Sequence, residues 1–157
     1  MADPSAPHHP PIDATRLWSG GLATALVAAL IALVGVLVVR VLFQVALYAP
    51  PDAGPFGGSG TAVLCVLAAA AALAATGLMH LLLLGTPRPL AYFGWIVGLL
   101  TAAAAVLPFL AGGSIGVALG TAAIHLVIGL AILSLVSGAA TSALRSGAAR
   151  AHLGGAG

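Results

Sequence analysis

The chain has 157 residues, of which 61% are hydrophobic and 5% are charged, and its formal net charge at pH 7 is +2. A soluble domain has roughly 25% charged residues, so this chain has too few to give such a domain a polar surface. With five basic residues in all, it cannot form the basic stripe that a nucleic-acid-binding protein needs. The composition therefore predicts an integral membrane protein whose surroundings are the lipid bilayer.

Residues 1–16 form the first predicted element, a tail rich in proline and polar residues. Such a segment cannot bury enough apolar surface to fold, so we expect it to be a disordered cytoplasmic tail. The apolar run at 17–48 follows it and exceeds the ~20 residues that cross a bilayer. This run is also too long for the apolar part of a cleaved signal peptide, which predicts that it stays as a membrane anchor.

Three further spans follow along the chain. The segment 49–60 contains three prolines and four glycines, which predicts an exposed loop. Beyond it, the apolar runs at about 61–84, 90–110 and 114–140 contain no Asp, Glu, Lys or Arg, and each is long enough to cross. Because backbone groups in lipid must be satisfied inside each helix, we predict an all-α, polytopic four-helix transmembrane bundle. Residues 143–157 are predicted to be a flexible C-terminal tail.

The transmembrane domain thus spans residues 17–142, and its arginines predict its orientation. With four spans, the arginines of the tails and of the second connection share one side: Arg16, Arg88, Arg145 and Arg150. The connection between the first two spans has no arginine. The positive-inside rule therefore predicts that both termini are cytoplasmic. We expect the membrane to be the cell membrane.

Arg40 lies inside the first apolar run. At ~1.5 Å per residue it is about 30 Å along the helix from Gly20, which predicts a position at the outer interface. In the simplest interpretation its side chain reaches the lipid headgroups, and the alternative is a specific contact with an anion or headgroup. The residues predicted to contact headgroups and fix the topology are Arg16, Arg40, Arg88 and Arg145.

Small residues at four-residue spacing are predicted to pack the helices together, because small side chains let backbones approach closely in lipid. The candidate positions are Gly20, Thr24, Ala68, Ala72, Thr76, Gly94, Gly98, Gly116, Gly120 and Gly129. Each pattern also arises by chance in a chain rich in alanine and glycine. Their occurrence on all four spans favours a tightly packed bundle.

His80 and His125 are the histidines inside predicted spans, and ionisable residues within a membrane are candidates for function. We favour a structural role for both, as neutral rings that form hydrogen bonds. The expected partners are Thr76 or a backbone carbonyl for His80, and Thr121 or a facing helix for His125.

Two functional alternatives use the same histidines. One is a carrier or channel for protons or a small solute, which would lack the acidic residue that coupled transporters add. The other is a haem held by both rings, although their predicted depths differ by about 10 Å. No metal site is predicted, because the spans have no carboxylate and the other histidines lie on tails. Cys65 is a lone cysteine and is interpreted as a packing residue, and no cofactor is predicted.

Catalytic groups are also missing from the sequence. Ser114, Ser134 and Ser137 have no matching set of histidine and carboxylate partners, and there is no glycine-rich phosphate loop with a lysine. We therefore predict a non-enzymatic membrane protein that packs with itself, as a homo-oligomer, or with another membrane protein.

Three segments resemble a known family: LWSGGLATALVAALIALVGVLVVR, ATGLMHLLLLGTPRPLAYFGWIVGLL and HLVIGLAILSLVSGAA. Over about residues 15–142 the chain resembles actinobacterial four-span membrane proteins grouped as domain of unknown function 6069. The most specific feature is the combination of a histidine, TPRPL and FGW at 80–95. The resemblance implies a membrane location and a four-span topology, and it implies no activity and no catalytic residue.

Overall fold

Four long helices make up the protein in the computed structural model, which describes residues 13–43, 58–110 and 114–154. The helices are α1 (Ala14–Phe43), α2 (Gly58–Gly85), α3 (Pro89–Leu110) and α4 (Ile115–Gly154). No strand occurs in the three described ranges. Each helix is long and apolar enough to cross a membrane. The prediction of an all-helical chain with four candidate membrane spans is confirmed.

Capping groups explain where the helices begin. Asp13 caps α1, because its Oδ1 accepts a hydrogen bond from the Arg16 N–H at 3.3 Å. Ser114 caps α4, where its Oγ accepts from the Val117 N–H at 3.5 Å. Pro89 occupies the first position of α3, where its missing N–H removes no helical hydrogen bond. Because Asp13 is the cap, α1 begins at Ala14, slightly before the predicted residue 17.

Two predicted boundaries differ from the structure. Helix α2 begins at Gly58, inside the predicted loop 49–60, because a helix satisfies the backbone groups of a chain that is about to enter lipid. Helix α4 continues to Gly154, although a flexible tail is predicted from 143. The candidate membrane span ends at Ser146, and the alanines, arginine and leucine that follow it are good helix formers.

Some predicted segments lie outside the described residues. They are 1–12 in the N-terminal tail, 44–57 at the end of the first span and in the first loop, 111–113 in the third connection, and 155–157. The predictions for these segments stay predictions.

The helices follow the spatial order α2, α1, α4, α3 around the bundle. Helix α1 contacts α2 and α4 and makes no contact with α3 among the described residues, while α3 packs mainly on α4. Gly20 lies against Ala139, and Val39 lies against Gly120, so α1 and α4 are antiparallel. Helices α2 and α3 have few contacts, which leaves one side of the bundle less closely packed.

The size of the buried side chains differs between parts of the core. Small side chains fill it where α1 meets α2 and α4, and Ala28, Ala32 and Ala72 are almost fully buried there. Larger side chains fill the end near the α2–α3 turn, where Met79 and Phe93 are fully buried. Small side chains permit close approach of two backbones, so α1 is held on both sides at short range.

Candidate functional site

Most of the predicted packing positions are buried or lie at close contacts between helices. A Cβ added at Gly20, Gly120 or Gly129 would crowd the neighbouring helix. The side chains opposite these three glycines are Ala139, Val39 and Thr101, in that order. The buried positions on α1 and α2 are Thr24, Ala68, Ala72 and Thr76. Gly116, near the start of α4, is half-buried.

Gly94 and Gly98 differ from these positions. A Cβ added at either would meet no atom within 4 Å, and Gly98 is exposed. This glycine pair therefore makes no close helix contact within the described part of the chain, contrary to the expectation that it packs inside the bundle. The reason is rotation of α3, which turns Phe93 and Val97 toward the core instead.

Two close contacts of α1 are absent from the sequence prediction. A Cβ on Gly21 would lie 2.5 Å from Thr76 Cγ2, and one on Gly35 would lie 2.8 Å from Ile124 Cγ1. The signal in the sequence is a run of small residues at alternating steps of four and three: Gly21, Ala25, Ala28, Ala32 and Gly35. Such alternation follows one face of a helix better than repeated steps of four do.

Hydroxyl groups in the spans bond to their own helices. Thr24 Oγ1 donates to the Gly20 carbonyl at 2.8 Å, and Thr76 Oγ1 donates to the Ala72 carbonyl at 2.8 Å. In the described ranges, each donating hydroxyl bonds to a carbonyl three or four residues earlier. Association of the four helices therefore rests on packing rather than on hydroxyl bonds between helices.

Three arginines lie at one end of the bundle. Arg16 is in the first turn of α1, Arg88 is in the α2–α3 turn, and Arg145 is near the end of α4, which is antiparallel to α1. All three side chains are exposed. Arg16 Nε lies 3.8 Å from Asp13 Oδ2. The side chain of Arg40 lies outside the described part of the structure.

His80 contacts an aromatic ring of another helix. Its ring centroid is 6.5 Å from that of Trp18 on α1, and the two ring planes are tilted by 53°. The Nδ1 of His80 is buried and has no hydrogen-bond partner among the described residues. At this nitrogen the expected bond to Thr76 or a carbonyl is therefore not made, and the Thr76 hydroxyl bonds to Ala72 instead.

His125 forms a hydrogen bond within α4. Its Nδ1 lies 2.8 Å from the backbone carbonyl oxygen of Thr121. A carbonyl can only accept, so Nδ1 donates and carries the proton. With the proton on Nδ1, the lone pair of the ring lies at Nε2.

A crevice of about 460 Å³ separates α2 from α3 and α4. It includes Ala71 and Ala74 of α2, Leu100 and Thr101 of α3, and His125 of α4. His125 and Thr101 are the polar side chains of its described lining, and His80 is not part of that lining. The structure thus gives the two histidines different surroundings.

A second groove, of about 610 Å³, lies between α1 and α4. Its described lining consists of apolar side chains and glycines, among them Val27, Leu119 and Ala123. A groove of this kind can hold lipid chains but offers no polar side chain to a ligand. No group of three His, Cys, Asp or Glu side chains that could hold a metal occurs among the described residues.

Residues 12–142 match a family described as Family of unknown function (DUF6069). The chain belongs to this family. The DUF6069 region contains the glycine contacts, both histidines and the crevice, and it ends within α4 before residues 143–154. The family resemblance predicted from the sequence is confirmed. Neither a curated protein nor a solved structure matches the chain.

Proposed function

We propose that this member of the family is a non-enzymatic membrane protein that packs with itself or with another membrane protein through α3. One observation carries the proposal. Only three of the 22 residues of α3 are buried, yet Gly94 and Gly98 have open space in front of them. In lipid, small residues on a helix surface permit the close contact that favours association. This face of α3 thus carries small residues as α1 does, but meets no other helix among the described residues.

The proposed contact surface is the α3 strip, defined as Ala91, Gly94, Gly98 and Ala102. Residues three and four positions apart are neighbours on a helix surface, so these four form one continuous strip. Ala91, Gly98 and Ala102 are exposed. Trp95 is next to the strip and is 73% exposed. A helix crossing at the glycines could pack against Trp95 as well, which would add a large aromatic contact.

Cross-linking in native membranes tests this assembly. In a Cys65→Ala background, Gly98→Cys places a thiol on the α3 strip, and Gly138→Cys places one at an open glycine of α4. A short thiol cross-linker should join Gly98→Cys to a second chain and leave Gly138→Cys monomeric. The mass of the product distinguishes a second copy from another membrane protein. Monomer alone, or equal yields at both positions, would overturn the proposal.

A bulkier residue on the strip tests the same contact by disrupting it. Gly98→Leu should block close approach of the partner and abolish cross-linking through Ala102→Cys. Because Gly98 has open space around it within one chain, the variant should keep the stability of the monomer. Undiminished cross-linking in the Gly98→Leu variant would exclude the strip as the contact surface.

We further propose that the protein lies in the cell membrane with both termini in the cytoplasm. Support comes from Arg16, Arg88 and Arg145, which share one end of the bundle, as the positive-inside rule expects for the cytoplasmic side. Exposed aromatic side chains near the same end fit an interfacial belt: Trp18, Tyr92 and Trp95. Pro87 is exposed in the α2–α3 turn and lies between two candidate spans. In the Cys65→Ala background, Pro87→Cys should react with an impermeant maleimide only in permeabilised cells, and reaction in intact cells would reverse this orientation.

The crevice favours a second candidate function, a carrier for a small solute. His125 lines the crevice, whereas His80 is outside it, so such a path would depend on His125. Flux into proteoliposomes should then exceed flux into empty vesicles and fall in His125→Ala. Equal flux into proteoliposomes and into protein-free vesicles would remove this candidate.

A further inference from the structure

The two polar side chains of the crevice lie close together. Thr101 of α3 packs directly on Gly129 of α4. Gly129 and His125 are four residues apart on one helix, so their surfaces are neighbours, roughly 6 Å apart. Thr101 and His125 therefore face the crevice within about one helical turn of each other, in an otherwise apolar lining.

Both polar groups have unused hydrogen-bonding capacity. The Nδ1 of His125 bonds to the Thr121 carbonyl, and its Nε2 makes no hydrogen bond to another described residue. The hydroxyl of Thr101 likewise makes none in the described part of the chain. Nε2 can accept a hydrogen bond, and the Thr101 hydroxyl can donate one. A ligand that satisfies both must donate to Nε2 and accept from the Thr101 hydroxyl.

A hydroxyl group can fill both roles, because it both donates and accepts. Its O–H can donate to His125 Nε2 while its oxygen accepts from the Thr101 O–H. A carbonyl could accept from Thr101 but could not donate to Nε2. A methyl ether has the same limit, which makes it a useful comparison.

Depth in the membrane restricts the molecule that carries the hydroxyl. His125 is ten residues from Ile115, the first residue of the candidate span Ile115–Ser146, which is about 15 Å at 1.5 Å per residue. In a hydrocarbon layer of about 30 Å, this lies near mid-depth. Phospholipid headgroups stay at the interface, so ordinary lipids present only acyl chains to this part of the crevice.

We propose that the crevice between α2, α3 and α4 binds a lipid-soluble alcohol or phenol whose hydroxyl donates to His125 Nε2 and accepts from Thr101. The volume of about 460 Å³ falls within the roughly 300–1,000 Å³ of small-molecule sites. Apolar walls hold the body of the ligand, and the two polar groups fix its hydroxyl.

Photolabelling of the full chain in lipid vesicles tests the proposal. The probe is an alkylated phenol that carries a diazirine, and the comparison probe is its methyl ether. The phenol should label peptides that line the crevice, around Leu78 and Leu100. The ether should label them roughly fivefold less, as expected for the loss of one net hydrogen bond. The unlabelled phenol should compete with the phenol probe.

Variants assign the effect to the two polar residues. His125→Leu should remove the preference for phenol over ether, because the preference depends on the O–H that donates to Nε2. Thr101→Val should weaken labelling by both probes, because both oxygens can accept from the Thr101 hydroxyl. Ala123→Leu, which narrows the apolar groove between α1 and α4, is the matched control and should keep the preference. Labelling of that groove by the ether serves as a check of folding, because neither polar variant lies in it.

Equal labelling of the crevice by phenol and ether in the unmodified chain would overturn the proposal, and the crevice would then be an ordinary site for lipid chains. A preference that survives in His125→Leu would overturn it too, and so would undiminished phenol labelling in Thr101→Val. The outcome is separable from the assembly proposal, because Gly98 does not line the crevice. Gly98→Leu should leave the labelling unchanged.

Discussion

Helices α1 and α3 are both apolar and both contain glycines, but glycines of α1 lie in close contacts with other helices whereas Gly98 of α3 does not. Gly20 and Gly21 of α1 face Ala139 and Thr76, with no space for a Cβ. Gly98 of α3 faces open space. A pattern of small residues shows that another helix can pack closely against that face. Whether the contact forms inside the bundle depends on the larger residues of the same helix, which decide the face that it turns toward the core.

The difference also has an energetic side. At Gly21 the facing atoms belong to Thr76, which is fully buried and therefore has little room to move. Adding atoms to a well-packed core forces side chains and backbone to shift, which costs about 1–3 kcal/mol. At Gly98 there is nothing to displace, so the same substitution changes mainly the local helix propensity.

The largest expected effect is the contrast between Gly21→Ala and Gly98→Ala. Gly21→Ala should lower the free energy of unfolding by about 1–3 kcal/mol, because the new Cβ collides with Thr76. Gly98→Ala should leave it unchanged or raise it slightly, since alanine is the better helix former. Equilibrium unfolding of both variants in one detergent, at a concentration where the protein is monomeric, measures the difference.

Thr76→Ser in the Gly21→Ala background is the control for this contrast. It removes the Thr76 Cγ2 that lies 2.5 Å from the added Cβ, so it should restore part of the lost stability. Equal effects of alanine at positions 21 and 98 would contradict the difference between the two helices.

An intermediate effect is expected for Gly129→Ala, at the contact that holds α3 to α4. The added Cβ would collide with Thr101. Helix α3 has few contacts with α2, from which the crevice separates it, so it has room to shift away from α4. We therefore expect the free energy of unfolding to fall by about 1–2 kcal/mol, within the range for overpacking. Thermal unfolding measures this loss. A loss larger than that of Gly21→Ala would mean that α3 is held as firmly as α1.

The smallest expected effect concerns how the two helices begin. Asp13→Ala removes the acceptor that caps α1 and should cost about 1 kcal/mol. Asp13→Asn keeps an acceptor at this position and should cost less. Pro89→Ala at the start of α3, where no N–H is lost, should change stability little. Thermal unfolding of the three variants checks this order, and an equal loss in Asp13→Ala and Asp13→Asn would contradict the capping role.

The four spans could be predicted because their length and apolar character depend on the bilayer alone. The order α2, α1, α4, α3 could not, because it depends on which helix faces meet. For His125 the sequence analysis left Thr121 or a facing helix as the partner, and the ring bonds to the Thr121 carbonyl, four residues away on the same helix. The surroundings of His80 could not be predicted, because the Thr76 hydroxyl bonds to its own helix and the facing ring is Trp18 from another helix.

The crevice was outside the reach of sequence reasoning for a similar reason. It combines Thr101 of α3 with His125 of α4 and with alanines of α2, and no spacing along the chain links these residues. Gly129 appears in the sequence prediction as a packing position. Its facing residue, Thr101, has no signal of its own, because a single threonine in an apolar span is common.

Helix α4 connects the crevice to the far end of the chain as one unbroken rod. From His125 to Gly154 the helix continues for 29 residues, which is about 44 Å at 1.5 Å per residue. A tilt of α4 by about 5° around the level of His125 would move its C-terminal end by roughly 4 Å, given that length. A small change in the angle of α4 at the crevice would therefore produce a displacement of atomic size at its C-terminal end.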